Sequence, residues 1–123
     1  MEFYRFDKDS GKKITAFNSD FIMSRLVLTD TPTHVACMHL EPGGIIGYHE
    51  AVDPQLLLIV GGEGLVRGEG DEYISVKTGD AVFWEKGEGH ETKTDTGLTA
   101  IVVESDELIP SAIKSSKAVE VTE

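Results

Sequence analysis

The sequence predicts an all-β domain, a barrel or a sandwich built from short strands. Apolar segments recur along the chain and are separated by turns rich in glycine and aspartate. Before residue 105, no segment has the helical periodicity over eleven or more residues that marks an amphipathic helix. Short strands at even spacing are typical of β-barrels and β-sandwiches. The strand-like segments are residues 21–28, 33–40, 55–60, 65–67, 72–76, 81–84 and 98–103.

The first strands are identified by their alternation and by the turns that end them. Segment 21–28 stops at residues 29–33, Thr-Asp-Thr-Pro-Thr, which are typical of a loop. In segment 33–40, Ala36, Met38 and Leu40 share one side of an extended chain. Cys37 and His39 share the other side. Because successive side chains of a strand point to opposite faces, we expect the apolar side to pack on the core.

The later strands are defined by apolar runs between glycine-rich turns. Residues 55–60 read Gln-Leu-Leu-Leu-Ile-Val and are closed by Gly-Gly-Glu-Gly at 61–64. A run this short favours a buried strand over a helix. The remaining segments follow in the same way, separated by turns at residues 68–71, 79–80 and 94–97.

The length is that of one domain, because 123 residues can bury one core and a second would be too small to stand alone. Within this domain we expect residues 1–32 to form N-terminal strands that pack on a barrel core of residues 33–104. Residues 105–123 are more polar. We expect them to form a packed-down or frayed tail, to which no chemistry is assigned.

The composition argues against nucleic acid and membranes as partners. Eleven basic and 22 acidic residues give a net charge of −11, which repels phosphate backbones and anionic lipids. No apolar run approaches the roughly 20 residues that span a bilayer, and residues 1–7 lack the features of a secretory signal. The single cysteine, Cys37, cannot form an intramolecular disulfide. We therefore expect a cytoplasmic protein.

Two glycine-framed segments hold the residues that could carry chemistry. The first supplies Gly43, His49, Ala51, Gln55 and Gly62. The second supplies Gly79, Glu85, Gly87, His90 and Thr94. In order and spacing these segments resemble the two motifs of the cupin superfamily. The first motif reads Gly, five residues, His-x-His, three or four residues, Glu, six residues, Gly. The second reads Gly, five residues, Pro-x-Gly, two residues, His, three residues, Asn.

The resemblance covers about residues 33 to 104 and implies a double-stranded β-helix, the jelly-roll barrel of that superfamily. In the superfamily, the histidines and the glutamate of the first motif and the histidine of the second bind one divalent metal. By this correspondence His49 and His90 are metal ligands. Gln55 offers a neutral amide oxygen in place of the carboxylate, and Ala51 cannot bind metal. The resemblance thus implies a reduced site of His49, Gln55 and His90 for Fe, Mn, Ni or Zn.

Such a reduced site binds metal less tightly than a complete one. Loss of one negative charge alone removes on the order of several kcal/mol of attraction at an effective dielectric of about 20. A His, Gln, His set with open water positions is nevertheless a neutral counterpart of the two-histidine, one-carboxylate arrangement. The alternative is that His49 and His90 are hydrogen-bonded structural residues and that Gln55 holds a pocket water.

Other polar and aromatic residues have weaker support. Tyr48 and Trp84 would line the pocket or pack in the core. His34 and His39 are expected at the surface or behind the ligands, and Cys37 is expected to be a small core residue. A replacement carboxylate could come from acidic residues near the motifs, although a solvated surface is the simpler interpretation. These residues are Glu50, Glu85, Glu88 and Glu91.

Three functions are compatible with such a pocket. The first is a metal-dependent dioxygenase or isomerase that acts on a small polar organic molecule. The second is a metal-free isomerase or epimerase of the sugar-modifying kind, with His49 or His90 as general base and Tyr48 as acid. The third is a non-catalytic module that binds a small molecule. The resemblance also implies a homodimer formed through edge strands or stacked barrels.

Overall fold

A computed structural model describes residues 1–115, and the all-β prediction is confirmed. Within this range two short 3-10 helices, Lys8–Ser10 and Ala16–Asn18, accompany the strands. The strands are β1 (Glu2–Arg5), β2 (Lys12–Ile14), β3 (Phe21–Met23), β4 (Val27–Leu28), β5 (Thr33–Leu40), β6 (Ile45–Glu50), β7 (Gln55–Arg67), β8 (Ile74–Lys77), β9 (Asp80–Trp84), β10 (Gly89–Lys93), β11 (Leu98–Ser105), β12 (Ile109–Pro110) and β13 (Ile113–Lys114). Residues 116–123, the end of the predicted tail, lie outside the described residues.

Nine of these strands form one antiparallel sheet that is bent into two layers. In the large layer, β13, β1, β9, the first half of β7, β11 and β5 pair in that order. In the small layer, the second half of β7 pairs with β8 and β10, and β10 pairs with β6. The strand β7 belongs to both layers because it runs for 13 residues. This arrangement agrees with the expected jelly-roll barrel.

The main core combines side chains from both layers. Leu57 and Trp84 come from the large layer and pack with Val66 and Val76 from the small layer. Trp84, Val66 and Val76 are almost fully buried. Burial of this apolar surface is the main favourable term in the free energy of folding.

A second cluster covers the opposite face of the large layer. Leu56 and Leu58, which alternate with the core residues of β7, pack here with Phe83. The N-terminal residues Leu26 and Val27 contribute to the same cluster. Because both faces of β7 are buried at this point, the run at 56–59 is continuously apolar instead of alternating.

The structure corrects the prediction that residues 61–64 form a turn. These residues continue β7 from the large layer into the small layer. The pairing register of β7 with β11 shifts by one residue next to Val60, as at a β-bulge. Gly62 follows with φ of +77°, in the left-handed region. Glycine adopts this conformation at no steric cost, so the strand bends here instead of ending.

Strand β5 corrects two further expectations. Met38 and Leu40 pack against the main core as expected, but Ala36 on the same side of the strand is exposed. Cys37 is also exposed and is not a core residue. Among the described residues β5 pairs with β11 alone. As an edge strand it therefore receives cover from one neighbour only.

The sequence did not predict β6 and β10 as strands, and the N-terminal strands expected in residues 1–32 were not given bounds at β1. Strand β10 is polar throughout, and β6 is interrupted by Gly47. Neither carries the apolar alternation on which the prediction relied. In residues 1–115 no helix has the length and apolar character to cross a membrane.

Candidate functional site

His49 and His90 lie side by side on the small layer. They are directly opposed residues of the antiparallel strands β6 and β10. Their ring centroids are 4.5 Å apart and their planes are tilted by 56°. Both side chains line one cavity between the layers. The structure thus brings together the histidines of two motifs that are 41 positions apart in the sequence.

A β-bulge in β6 sets the direction of His49. The pairing register of β6 with β10 shifts by one residue next to the histidine pair, so β6 carries one extra residue. The extra residue reverses the alternation of side chains. Ile46 and His49 therefore both line the cavity although they are three positions apart. The bulge is what directs this imidazole into the barrel.

Backbone carbonyls fix the tautomers of both imidazoles. Nδ1 of His49 lies 2.7 Å from the carbonyl oxygen of Gly47. Nδ1 of His90 lies 3.1 Å from the carbonyl oxygen of Glu88. A carbonyl oxygen only accepts hydrogen bonds, so Nδ1 carries the hydrogen and donates it in each ring. In the neutral rings Nε2 is therefore the basic nitrogen, available to a metal or to a proton.

His90 is held in a more apolar environment than His49. Its side chain is almost fully buried, whereas His49 is exposed at the mouth of the cavity. The His90 ring stacks on Trp84 with centroids 4.3 Å apart and an interplanar angle of 21°. Burial is the largest effect on the pKa of His90 and lowers it; the hydrogen bond to the Glu88 carbonyl opposes this shift, and the nearby His49 adds a smaller lowering. The lowered pKa favours the neutral form of the His90 imidazole at neutral pH.

This pKa shift predicts a pH-dependent stability. The pKa of His90 is lower in the folded chain than in the unfolded chain, where it is about 6.5. The unfolded chain therefore binds more protons as the pH falls below 6.5, and the free energy of unfolding falls by at most about 1.4 kcal/mol per pH unit. Denaturation between pH 8 and 5 measures this slope. His90→Gln should flatten it, and His39→Gln, at an exposed histidine, should not. An unchanged slope in His90→Gln would exclude His90 as the cause.

Gln55 faces the same cavity from the large layer. It is buried at the start of β7, and its Nε2 donates a hydrogen bond of 3.1 Å to Oε1 of Glu104 on β11. An ionised carboxylate only accepts hydrogen bonds, so this contact fixes which end of the amide is Nε2. The amide oxygen Oε1 of Gln55 is then the atom left for a ligand.

Glu104 is the site residue that the sequence analysis missed. It lines the cavity beside Gln55 and adds a half-buried carboxylate to it. A signal for it was present, because Leu98, Ala100, Val102 and Glu104 share one side of β11. The first three are buried. Extending the alternation by one step would have directed Glu104 inward.

The cavity between the layers is small, about 60 Å³, and has apolar walls. Met38, Leu57 and Val102 line it together with the polar side chains. Trp84 also lines it, and its buried Nε1 has no hydrogen-bond partner among the described residues. A buried donor of this kind normally finds an acceptor. The volume of the cavity is far below the range of about 300–1,000 Å³ that is typical of pockets for drug-sized molecules.

The structure directs Tyr48 away from the cavity. It is 46% exposed, and the guanidinium of Arg67 lies 4.6 Å from the centroid of its ring. The idea that Tyr48 serves as a catalytic acid is therefore wrong, because its hydroxyl is outside the cavity. Trp84, in contrast, lines the cavity and packs in the core at the same time.

The acidic residues near the motifs do not supply a replacement carboxylate. Glu91 accepts hydrogen bonds from Arg67 and Tyr73. Glu88 pairs with the N-terminal amino group. Glu50 and Glu85 are exposed, and none of the four lines the cavity. Their interpretation as surface or structural residues is the one that the structure supports.

The cavity offers a metal two imidazole nitrogens and the Gln55 amide oxygen, while the Glu104 carboxylate, which also lines it, accepts the hydrogen bond of the Gln55 amide. In the part of the chain that the structure describes, no group of three or more His, Cys, Asp or Glu side chains could hold a metal ion. A metal in this cavity would therefore need Gln55 as well as both histidines. Imidazole suits Fe, Ni and Zn, and neutral oxygen is compatible with Mn. The donor set fits such a metal, bound weakly.

The comparisons with known proteins agree with this fold. A family model described as the cupin domain matches residues 36–104. No match was found among curated proteins.

Solved structures give the same result. A cupin superfamily protein from Desulfitobacterium hafniense is similar at 14% identity and a TM-score of 0.58, covering 69% of this chain and 77% of its own. An RmlC-like cupin from Shewanella frigidimarina is similar at 20% identity and a TM-score of 0.58, covering 64% and 70%. At these identities the likeness shows the fold alone.

A third structure is more similar in sequence. It is described as a predicted oxalate decarboxylase from Thermotoga maritima, with 29% identity and a TM-score of 0.52. The alignment covers 62% of this chain and 64% of that protein. The family model spans more than half of the chain and contains both histidines and Gln55. Together with the jelly-roll topology, this match shows that the chain belongs to the cupin family.

Proposed function

We propose that the cavity between the layers binds a divalent transition metal together with a small polar organic ligand. The metal ligands are Nε2 of His49, Nε2 of His90 and Oε1 of Gln55. The observation that carries the proposal is the opposed histidine pair, in which each Nδ1 is engaged by a carbonyl. Such contacts are typical of metal-bound imidazoles, because they fix the tautomer and orient the ring.

The spacing of the two rings supports this proposal. With a metal–nitrogen bond of about 2.1 Å, each ring centroid lies about 3.25 Å from the metal, so two imidazoles on one metal have centroids about 4.6 Å apart at a 90° angle and about 5.3 Å apart at a tetrahedral angle. The observed distance is 4.5 Å. Glu104 would orient the Gln55 amide and place a negative charge next to the site. This charge offsets part of the attraction for a metal that the site loses by having glutamine where the family has glutamate.

The walls of the cavity restrict the organic ligand to a few non-hydrogen atoms, at about 60 Å³. Trp84 Nε1 would donate a hydrogen bond to an oxygen of this ligand, and Met38 and Val102 would exclude water from it. A bound metal would supply Lewis acidity toward an oxygen ligand. The similar Thermotoga protein, described as a predicted oxalate decarboxylase, favours a small oxygen-rich acid as the class of ligand.

Metal content tests the proposal. Protein without a histidine tag, loaded with Mn²⁺ or Zn²⁺ and then desalted, is analysed by elemental mass spectrometry. We expect a stoichiometric fraction of metal in the wild type and at least a tenfold reduction in His49→Ala and His90→Ala, because each variant removes one of two nitrogen ligands. His39→Ala, at an exposed histidine, is the matched control and should retain the metal. Trace metal in all four proteins would overturn the metal site.

A metal-free acid–base function is the second candidate. It is favoured by the lowered pKa of His90, which leaves Nε2 unprotonated and able to accept a proton at neutral pH. With Tyr48 outside the cavity, the acid in this scheme would be the His49 imidazolium or a group of the substrate. Activity that resists chelators and disappears in His90→Gln would favour this candidate. Ligand-dependent melting without turnover would favour the non-catalytic binding module instead. The homodimer and the cytoplasmic location stay predictions.

A further inference from the structure

A second and much larger cavity lies at the edge of the large layer that β1 and β13 form. Its volume is about 400 Å³, and it is enclosed by β1, the β2–β3 hairpin and the segment that leads into β13. Three cationic side chains line it: Arg5, Lys12 and Arg25. No carboxylate is among the side chains that line it. The volume falls within the range of natural small-molecule pockets.

The local charge contrasts with the rest of the molecule. Residues 1–32 contain five basic and five acidic residues, whereas residues 33–123 contain six basic and 17 acidic residues. The whole excess of negative charge therefore lies outside the N-terminal segment that forms much of this cavity. A local group of cations in an otherwise acidic protein favours an anionic ligand at that place.

Within residues 1–115, two of the three cations have no counter-ion. Arg5 forms a two-pronged contact with the Asp7 carboxylate, with distances of 3.1 Å and 2.9 Å. Lys12 and Arg25 form no ion pair with any residue in 1–115 and are exposed at the rim of the cavity. The Arg5 charge is partly neutralised, so Lys12 and Arg25 provide most of the attraction for an anion.

The remaining lining combines three serines with apolar side chains. Ile14, Met23 and Ile113 line the cavity beside the cations. The hairpin is fastened to the loop after β1 because Ser24 donates a hydrogen bond of 3.2 Å to the carbonyl oxygen of Asp7. An inorganic ion alone would leave these apolar walls uncovered. A molecule with an anionic head and an apolar body would cover them.

We propose that this cavity binds a small organic anion, a carboxylate or phosphate monoester with a short apolar body. Lys12 and Arg25 contact the anionic head, and Ile14, Met23 and Ile113 contact the body. This site is separate from the histidine cavity, and its lining shares no residue with it. It therefore stands whether or not the histidine site binds metal.

Titration of the full-length protein followed by backbone amide NMR tests this proposal, with hexyl phosphate, hexanoate and inorganic phosphate as probes. We expect hexyl phosphate or hexanoate to shift the amides of residues 10–14, 23–25 and 111–113 and to saturate. Inorganic phosphate should bind at least tenfold more weakly, because it does not bury the apolar walls. Replacing both unpaired cations, in Lys12→Gln/Arg25→Gln, should weaken hexyl phosphate binding by tenfold or more.

The matched control is Lys77→Gln/Lys86→Gln, which removes the same charge from exposed lysines that do not line the cavity. It should change the affinity for hexyl phosphate by less than twofold. Equal weakening in both double variants would mean general surface electrostatics and would overturn the proposal. Shifts centred on the histidine cavity, or no saturable shifts at 50 mM of any probe, would overturn it as well.

Discussion

Replacing Gln55 with glutamate is expected to tighten divalent-metal binding by about a hundredfold. The substitution adds a carboxylate to the donor set at the position where the family has one. A charge pair 4 Å apart contributes about 4 kcal/mol at an effective dielectric of 20. Repulsion between the new carboxylate and Glu104 would offset about a third of this attraction. The remaining gain of about 2.7 kcal/mol corresponds to a hundredfold change in affinity. Isothermal titration with Mn²⁺ and Zn²⁺ at pH 7.5 measures the change.

The same substitution should destabilise the metal-free protein. Gln55 Nε2 donates to Glu104 at 3.1 Å, and a glutamate at position 55 replaces this hydrogen bond with two facing carboxylates. We expect a loss of about 1–3 kcal/mol in the free energy of unfolding without metal. Addition of metal should restore it, because binding to the folded state alone stabilises that state. Urea denaturation with and without Zn²⁺ measures both effects.

The double variant Gln55→Glu/Glu104→Gln separates the two effects. It exchanges the amide and the carboxylate, so the hydrogen bond between the two positions can re-form with the donor on the other side. The metal-free stability should return to within about 0.5 kcal/mol of the wild type, while part of the gain in metal affinity is kept, because the charge at position 104 is lost. If neither variant binds metal more tightly than the wild type, Gln55 does not face the metal and the proposed donor set is wrong.

The correspondence of the two segments with the cupin motifs was enough to predict which side chains meet. His49, Gln55 and His90 were selected from the sequence, and all three line one cavity. Their convergence follows from strand pairing, because β6 and β10 are neighbours and β7 pairs with β9 and β11. Motif spacing carries this information indirectly, since it reflects how many residues each strand and turn of the barrel requires.

Two features of the site depended on local geometry that the sequence does not display. Tyr48 and His49 are adjacent, and which of them points inward depends on the bulge in β6. A register shift of one residue exchanges the two faces of a strand. Simple alternation from Ile46 would have directed Tyr48 inward and His49 outward. The position of Tyr48 outside the cavity gives no support to the acid role that one alternative suggested for it.

The orientation of the Gln55 amide could not be predicted from the motifs either, because it depends on a partner from another strand. Glu104 comes from β11, 49 positions later, and decides which end of the amide is left free. The motif ends before this residue, so correspondence with the family gave no reason to consider it. The donor set of the site is thus partly determined outside the motifs that identify the fold.

Replacing Gly62 with alanine is expected to give the largest loss of stability of the variants considered. Gly62 has φ of +77°, and a Cβ at this position would lie 2.2 Å from the carbonyl oxygen of Gly97. The left-handed conformation costs about 1–2 kcal/mol for a residue with a side chain. The overlap between the new Cβ and the Gly97 carbonyl oxygen would force the turn before β11 to move, which adds to this cost. We expect a total of about 3–4 kcal/mol by urea denaturation.

Gly43→Ala is the matched control for the conformational part of this loss. Gly43 also has a positive φ, +83°, but a Cβ there has no atom within 4 Å. The free energy of unfolding of Gly43→Ala should therefore fall only by the cost of the left-handed conformation, about 1–2 kcal/mol. Equal losses in the two variants would mean that the close approach of Gly62 to Gly97 contributes nothing.

The Gly62 substitution also connects the fold to the site. Strand β7 carries Gln55 in the large layer and, beyond the bend at Gly62, pairs in the small layer with β10, the strand of His90. A displaced bend changes the position of the two layers relative to each other, and hence the distance from the Gln55 amide to the imidazoles. His49 and His90 belong to one layer and should keep their spacing. Gly62→Ala should therefore weaken metal binding by less than the tenfold or greater reduction expected for His90→Ala, measured in the folded protein at low temperature.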